Sequence, residues 1–144
     1  MQQQNYNNHV RYYAPHHFIF YPILLVGIIL SLRQVFVHPD NTEWVAITGL
    51  FILTGWLSFM LRQHYALINQ NRIVRLEMRF RYFVLTGQRL ELLENQLTFG
   101  QIAALRFASD SELPALVQRA ISENLSPKTI KQSIEHWLPD TMRV

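Results

Sequence analysis

Histidines and arginines are the side chains of this sequence with the most chemistry to offer. His9, His16 and His17 fall in one short segment, and neutral imidazoles grouped this way are common ligands of a transition metal. The same segment carries Tyr12, Tyr13 and Phe18 at the edge of an apolar run. Rings in that setting more often anchor a chain at a membrane interface, so no metal site is assigned to them. His38, His64 and His136 stand alone and are expected on the surface. The arginines concentrate in residues 62–89, where Arg62, Arg72, Arg75, Arg79, Arg81 and Arg89 face only Glu77, a balance of +5. Residues 90–144 carry five basic and seven acidic groups, a balance of −2. A basic stretch that follows an apolar run suits anionic lipid headgroups ahead of nucleic acid. Arg62, Arg72, Arg75 and Arg79 are the expected headgroup contacts.

Catalytic patterns are missing. The sequence holds no Gly-rich phosphate loop, no G-x-S-x-G elbow, no H-E-x-x-H and no Cys/His cluster. It has no cysteine at all, which removes disulfides, thiolate metal sites and thiol nucleophiles. No catalytic residue, cofactor or metal is therefore assigned, and the expectation is a protein without enzymatic activity. Residues 98–137 contain three short helical patterns that a helix-turn-helix would use. They are net acidic and the last offers only two lysines, whereas a DNA-reading face is basic. No nucleic-acid partner is expected.

The elements behind these residues are read from hydropathy. Residues 18–61 are dominated by apolar side chains, while 62–144 read as soluble protein. Residues 18–37, FIFYPILLVGIILSLRQVFV, are long enough as a helix to cross the roughly 30 Å hydrocarbon core. The polar leader 1–17 is long, carries a single Arg and leads to no A-x-A-like cleavage site, so this run is read as an uncleaved first span. Pro22 can kink its first turns or set where regular helix begins. A second span, 44–61, holds no charge. The polar connection 38–43 is too short for anything but an antiparallel hairpin: Pro39 stops the first helix, Asn41 or Thr42 can cap the second, and Glu43 suits its first turn. The connection has no Lys or Arg, whereas Arg11 precedes the first span and six arginines follow the second. By the positive-inside rule both termini are expected in the cytoplasm. Arg33, near the far end of the first span, reads as a snorkelling anchor near Asp40 and Glu43 rather than as an ion relay.

Small residues recur at four-residue intervals where helices in lipid approach closely. Gly27 and Ser31 lie on the first span; Thr54 and Ser58, with Gly49 and Gly55, lie on the second. A turn centred near residues 40–41 sets Gly27 opposite Thr54–Gly55 and Ser31 opposite Gly49–Leu50.

Residues 62–87 contain no Pro, and their one Gly is Gly87 at the end. One helix is expected from about Glu43 to about Leu85, with residues 62–87 as a basic amphipathic stalk. Ile73, Leu76, Phe80 and Phe83 form an apolar stripe at 3-4-3 spacing; Arg72, Arg75 and Arg79 form a second stripe offset by one residue, and Glu77 and Arg81 can pair at i,i+4. Phe80 and Phe83 are the expected partner interface. Residues 88–144 read as a small helical module. RLELLENQ is a short helix; Thr98 with Gln101 and Ser109 with Glu112 are capping boxes; Ser126 with Pro127 opens a last helix through KTIKQSIEHW. Leu105, Phe107, Leu113, Leu116, Val117, Ile121, Ile130, Ile134 and Trp137 are its candidate core. The fold class is all-α: a transmembrane helical hairpin, a stalk continuing the second span, and a C-terminal helical module.

QNY followed by His-x-Arg-Tyr, then QNRIVRLEMR, ALRFASDSELPALV, IKQSIEHWLPD and a terminal Arg-Val resemble a family of small bacterial two-span membrane proteins, a domain of unknown function associated mainly with Bacteroidota. The resemblance covers nearly the whole chain. It implies the same topology and a bacterial inner-membrane location, and it carries no activity and no site residue. The expected role is an accessory or scaffold subunit of a bacterial inner-membrane complex, partnered by another membrane protein or a second copy and by anionic lipid at the cytoplasmic face. The alternative is a small homo-oligomeric channel or transport component.

Overall fold

The structure, a computed structural model, describes residues 4–9 and 13–140. Arg11 and Tyr12 of the leader and the terminal Arg-Val lie outside the described residues. The chain divides into two compact units, one of residues 13–68 and one that joins residues 4–9 to residues 69–140. The second grouping differs from a separate leader, stalk and module, because 4–9 and 69–86 both belong with the module.

In the first unit the helix begins earlier than the apolar run. A π-helical turn, Pro15–Phe20, leads into α1, Tyr21–Val37. Pro22 lies in the first turn of α1, directly after the π-helical turn; lacking an N–H, it cannot donate to the carbonyls of that turn, and regular α-helix runs on from it. His38 leaves the helical region and Pro39 follows. Asn41 is extended, and its side chain accepts from the Glu43 N–H at 3.1 Å, capping α2, Thr42–Met60. The outward side chains of both helices are apolar, Ile23, Ile29, Phe36, Leu53 and Trp56 among them. The buried residues are Ser31 and Thr48, each with its hydroxyl donated to a carbonyl of its own helix. A soluble helix hides its apolar side; this pair does the reverse. Two helices, Pro15–Val37 and Thr42–Thr86, are long and apolar enough to cross a membrane.

The second of these runs unbroken for 45 residues. Past α2 it contains a π-helical turn, Leu61–Ala66, and then α3, Leu67–Thr86. Gly87 ends it at φ +69°, a conformation that only glycine adopts without strain, and donates its N–H to the Phe83 carbonyl at 2.8 Å.

The second unit is built on α3. Two 3₁₀ turns, Leu90–Leu92 and Glu94–Gln96, replace the short helix expected for RLELLENQ. α4, Phe99–Leu105, opens on the expected capping box of Thr98 and Gln101, and α6, Pro127–Gln132, on the Ser126 cap. The box expected at Ser109 does not form. The Ser109 hydroxyl meets Ser111, and α5, Leu113–Ser122, starts from Glu112 without a side-chain cap. The Glu112 carboxylate is instead taken by His136. α6 also stops short of Trp137, because the chain there turns to lie beside 107–108: Leu138 donates to the Phe107 carbonyl at 2.8 Å and Trp137 bridges to Ala108.

The core of this unit holds all the expected residues, with Ile121 and Trp137 packed at its edge. It also holds Val74, Met78 and Tyr82 of α3, together with Leu90, Leu97, Ile102 and Ala120. Tyr82 and Phe107 are its largest fully buried side chains. Burying large side chains of this kind contributes roughly 1.5–3 kcal/mol each, so α3 is as much a part of the core as α4 or α5.

Candidate functional site

α3 presents two faces with different fates. Val74, Met78 and Tyr82 recur every four residues on one face and are buried. Polar bonds fasten the same side. Arg79 grips Glu94 with two donors, Nε to Oε1 at 3.0 Å and Nη2 to Oε2, while Arg75 stands 3.9 Å from the same carboxylate. The hydrogen bond to Glu94 holds the Arg79 guanidinium above its ordinary pKa, which is the sign expected of a charge-assisted pair. Arg81 crosses to the α4–α5 connection, where it donates to the carbonyls of Arg106 at 3.1 Å and Ala108 at 2.6 Å and to Asp110 at 2.6 Å. The expected pairing of Arg81 with Glu77 is therefore replaced. The arginine has a better offer, two carbonyls and a carboxylate fixed by tertiary structure, than one exposed neighbour on the same helix.

The opposite face has no such cover. Ile73 is 56% exposed, Leu76 67%, Phe80 69% and Phe83 51%. These four residues form the stripe read from sequence, and the unit's own core is complete without them. Arg72 and Glu77 flank the stripe, both exposed, and neither has an ion-pair or hydrogen-bond partner among the described residues. Arg62, in the π-helical turn, is exposed as well. Of the four arginines read as headgroup contacts, Arg75 and Arg79 thus face a carboxylate of their own chain, whereas Arg62 and Arg72 do not.

In the hairpin, a Cβ on Gly27 would lie 2.6 Å from the Phe51 ring, and one on Gly55 would lie 3.0 Å from Leu24. These contacts set the register two to three residues away from the expected one: Gly27 meets Phe51 rather than Thr54–Gly55, and Gly55 meets Leu24. Gly49 has open space where a Cβ would go. Thr54 is exposed, its hydroxyl bonded to the Leu50 carbonyl, and Ser58 is half-buried. Arg33 is exposed and makes no ion pair with Asp40 or Glu43.

The three leader histidines fall in different units. His9 belongs with the second unit, His16 and His17 with the first. His16 stacks on Phe20 and meets Tyr21 edge-on. His9 bonds through Nδ1 to the Tyr6 carbonyl at 2.6 Å and through Nε2 to the Lys131 ammonium at 2.9 Å, and its ring packs against Phe107 and Trp137. Gln4 accepts from the Asp140 N–H at 2.7 Å. No spacing rule could have shown these contacts, since the partners are 122 and 136 residues apart.

Glu112, Glu135 and His136 bring three potential metal-ligand atoms within 4.8 Å of one another. His136 binds Glu112 Oε1 through its N–H at 2.9 Å and through Nδ1 at 2.8 Å. Burial alone would raise the Glu112 carboxyl, but the hydrogen bonds and electrostatic attraction of His136, together with the Ser109 backbone N–H, outweigh it and hold the group below its ordinary value. Here the carboxylate serves to tie the 133–137 turn to the start of α5.

A model of a family of unknown function, DUF6526, matches residues 1–144, and the chain belongs to that family. No curated protein and no solved structure matches it.

Proposed function

We propose that this family member is a membrane-anchored adaptor of a bacterial inner membrane, an accessory or scaffold subunit with no chemistry of its own. In this reading the 18–61 hairpin crosses the bilayer, both termini are cytoplasmic, and the α3-centred unit meets a protein partner at the cytoplasmic face. One observation carries it: α3 leaves Ile73, Leu76, Phe80 and Phe83 exposed in a row while its opposite face completes a core. A contiguous exposed apolar patch on an otherwise folded unit marks a surface that works against another molecule. The hairpin, with apolar side chains outward and hydroxyls inward, supports the anchor. The Lys/Arg-free connection between the spans, against the arginines of 62–89, supports the topology. Arg62, at the end of the second apolar run, meets no carboxylate among the described residues and suits a lipid phosphate.

The test is affinity capture of the full chain from membranes in mild detergent, with wild type beside a Phe80→Ser/Phe83→Ser variant. The expected result is a partner that leaves with the variant while the variant itself stays in the membrane fraction. Retention of every co-purifying chain and of the native size would overturn this docking surface.

A further inference from the structure

The exposed face of α3 has the spacing of a coiled-coil seam, and the charges beside it are arranged for a copy of itself. With Ile73 and Phe80 at a and Leu76 and Phe83 at d, Arg72 takes a g position and Glu77 an e position. The residues that α3 turns to its own unit, Val74, Arg75, Met78, Arg81 and Tyr82, then fall at b, c and f. They lie away from the seam; Arg79, at g, flanks it while bonded to Glu94 of its own chain, and the a and d positions stay open. In a parallel two-stranded coil the g residue of one chain meets the e residue of the next heptad in the other. Arg72 and Glu77 are separated by that interval and, as shown above, have no partner among the described residues.

We infer that the partner on this face is a second copy of the same chain, joined through α3 as a parallel two-stranded coil in which Arg72 of each copy pairs with Glu77 of the other. An antiparallel pair is disfavoured by the same charges. It sets g against g and e against e, leaving Arg72 beside Arg79 or Thr86 and Glu77 beside Val84 or its own counterpart. The stripe covers only about two heptads, short for a free coiled coil in water. Two chains threaded the same way through one bilayer start with these helices parallel and at high local concentration, which lowers the cost of closing the seam. The inference therefore rests on the membrane-anchored reading above, and it replaces that reading's unspecified partner with a self-complementary one.

The chain has no cysteine, so single cysteines report on the seam without background. Full-length Ile73→Cys and Phe83→Cys chains in nanodiscs should each cross-link to themselves under mild oxidation, because a parallel in-register seam sets each residue beside its own counterpart. An antiparallel seam would cross-link only a mixture of the two, and that result overturns the inference. Wild type in mild detergent should have the mass of a dimer. Arg72→Glu should raise its dissociation constant by roughly tenfold, as two favourable exposed pairs become repulsive ones. Adding Glu77→Arg should restore it. A monomeric wild type, a larger ring, or a dimer indifferent to Arg72→Glu overturns the pairing. If the chain is monomeric yet still loses a different protein through Phe80→Ser/Phe83→Ser, the second copy is wrong and the docking surface stands. If that variant changes nothing either, both fail.

Discussion

Arg81 donates from Nη2 to the carbonyl of Ala108 at 2.6 Å, across 27 residues of sequence. Its other bonds reach the Arg106 carbonyl and Asp110, and its side chain is only 18% exposed. One guanidinium thus satisfies two carbonyls at the end of α4, where a helix has no acceptor use for them, and fixes the α4–α5 connection to α3.

Replacing Arg81 with Ala should therefore loosen that connection by roughly 2 kcal/mol, the cost of removing charge-assisted bonds from partly buried carbonyls. Hydrogen exchange on the full chain in detergent checks it. Amides of 105–113 should lose protection, while Arg89→Ala, which removes only an exposed pair with Glu91, should leave them within about 0.5 kcal/mol.

Much of this architecture was legible in the sequence because the signals were local. The two long apolar helices follow from apolar runs, the Asn41, Thr98 and Ser126 caps from side chains within three residues of their partners, and the end of the long helix from Gly87. What stayed hidden was set by contacts between distant residues. Val74, Met78 and Tyr82 share a helix with Ile73, Leu76, Phe80 and Phe83, so α3 is apolar on two sides and periodicity alone cannot say which side folds inward. The 3-4-3 stripe was legible as an outward face, whereas the four-residue series Val74, Met78 and Tyr82, which is the one buried, was not. Arg81 had a plausible neighbour in Glu77 and takes Asp110 instead. Ser109 and Glu112 have the spacing of a capping box, but His136 claims the carboxylate. The hairpin register was off by two to three residues because the centre of a six-residue connection is not fixed by composition, and Phe51 rather than a small residue fills the space at Gly27.

That contact makes the hairpin testable. Gly27→Ala puts a methyl group about where the Phe51 ring now lies and should destabilise the hairpin by roughly 1–3 kcal/mol. Phe51→Ala on its own leaves a gap; combined with Gly27→Ala it should recover part of the loss, a coupling that a double-mutant cycle measures. Gly49→Ala, with open space at its Cβ, is the neutral comparison. The midpoint of heat-induced aggregation in detergent reads all four. Equal effects of Gly27→Ala and Gly49→Ala would show that the helices do not meet at Phe51.

The Glu112–His136 tie predicts an acid limit. The folded state holds the Glu112 carboxyl below its ordinary value, so the folded state favours the ionised form. That contribution is present in full above the unfolded carboxyl value near 4.3 and disappears as the pH falls through the folded one. Glu112→Gln should remove it. The variant should lose stability at neutral pH, and the gap from wild type should narrow as the pH drops below about 4. Thermal unfolding of the full chain at pH 3 to 7 measures this; a gap that widens toward low pH would contradict the sign.

The last prediction concerns the leader. His9 supplies an acceptor, Nε2, to the Lys131 ammonium 2.9 Å away, while Nδ1 faces the Tyr6 carbonyl at 2.6 Å. Both bonds need a neutral ring with its proton on Nδ1, since a carbonyl only accepts and an ammonium only donates. The ring also fills space beside Phe107 and Trp137, so it joins packing to polarity at one point. His9→Gln keeps a carbonyl acceptor for Lys131 and should hold residues 4–9 in place, at some loss of ring packing. His9→Arg sets a second cation against Lys131 and should release the segment. The Asp140 amide, which donates to Gln4, is the reporter. Its exchange should speed up by roughly tenfold or more in His9→Arg, consistent with the loss of about 1.4 kcal/mol or more of local stability, and change much less in His9→Gln. Equal acceleration in both would mean that ring packing against Phe107 and Trp137, and not the bond to Lys131, holds the leader to this unit.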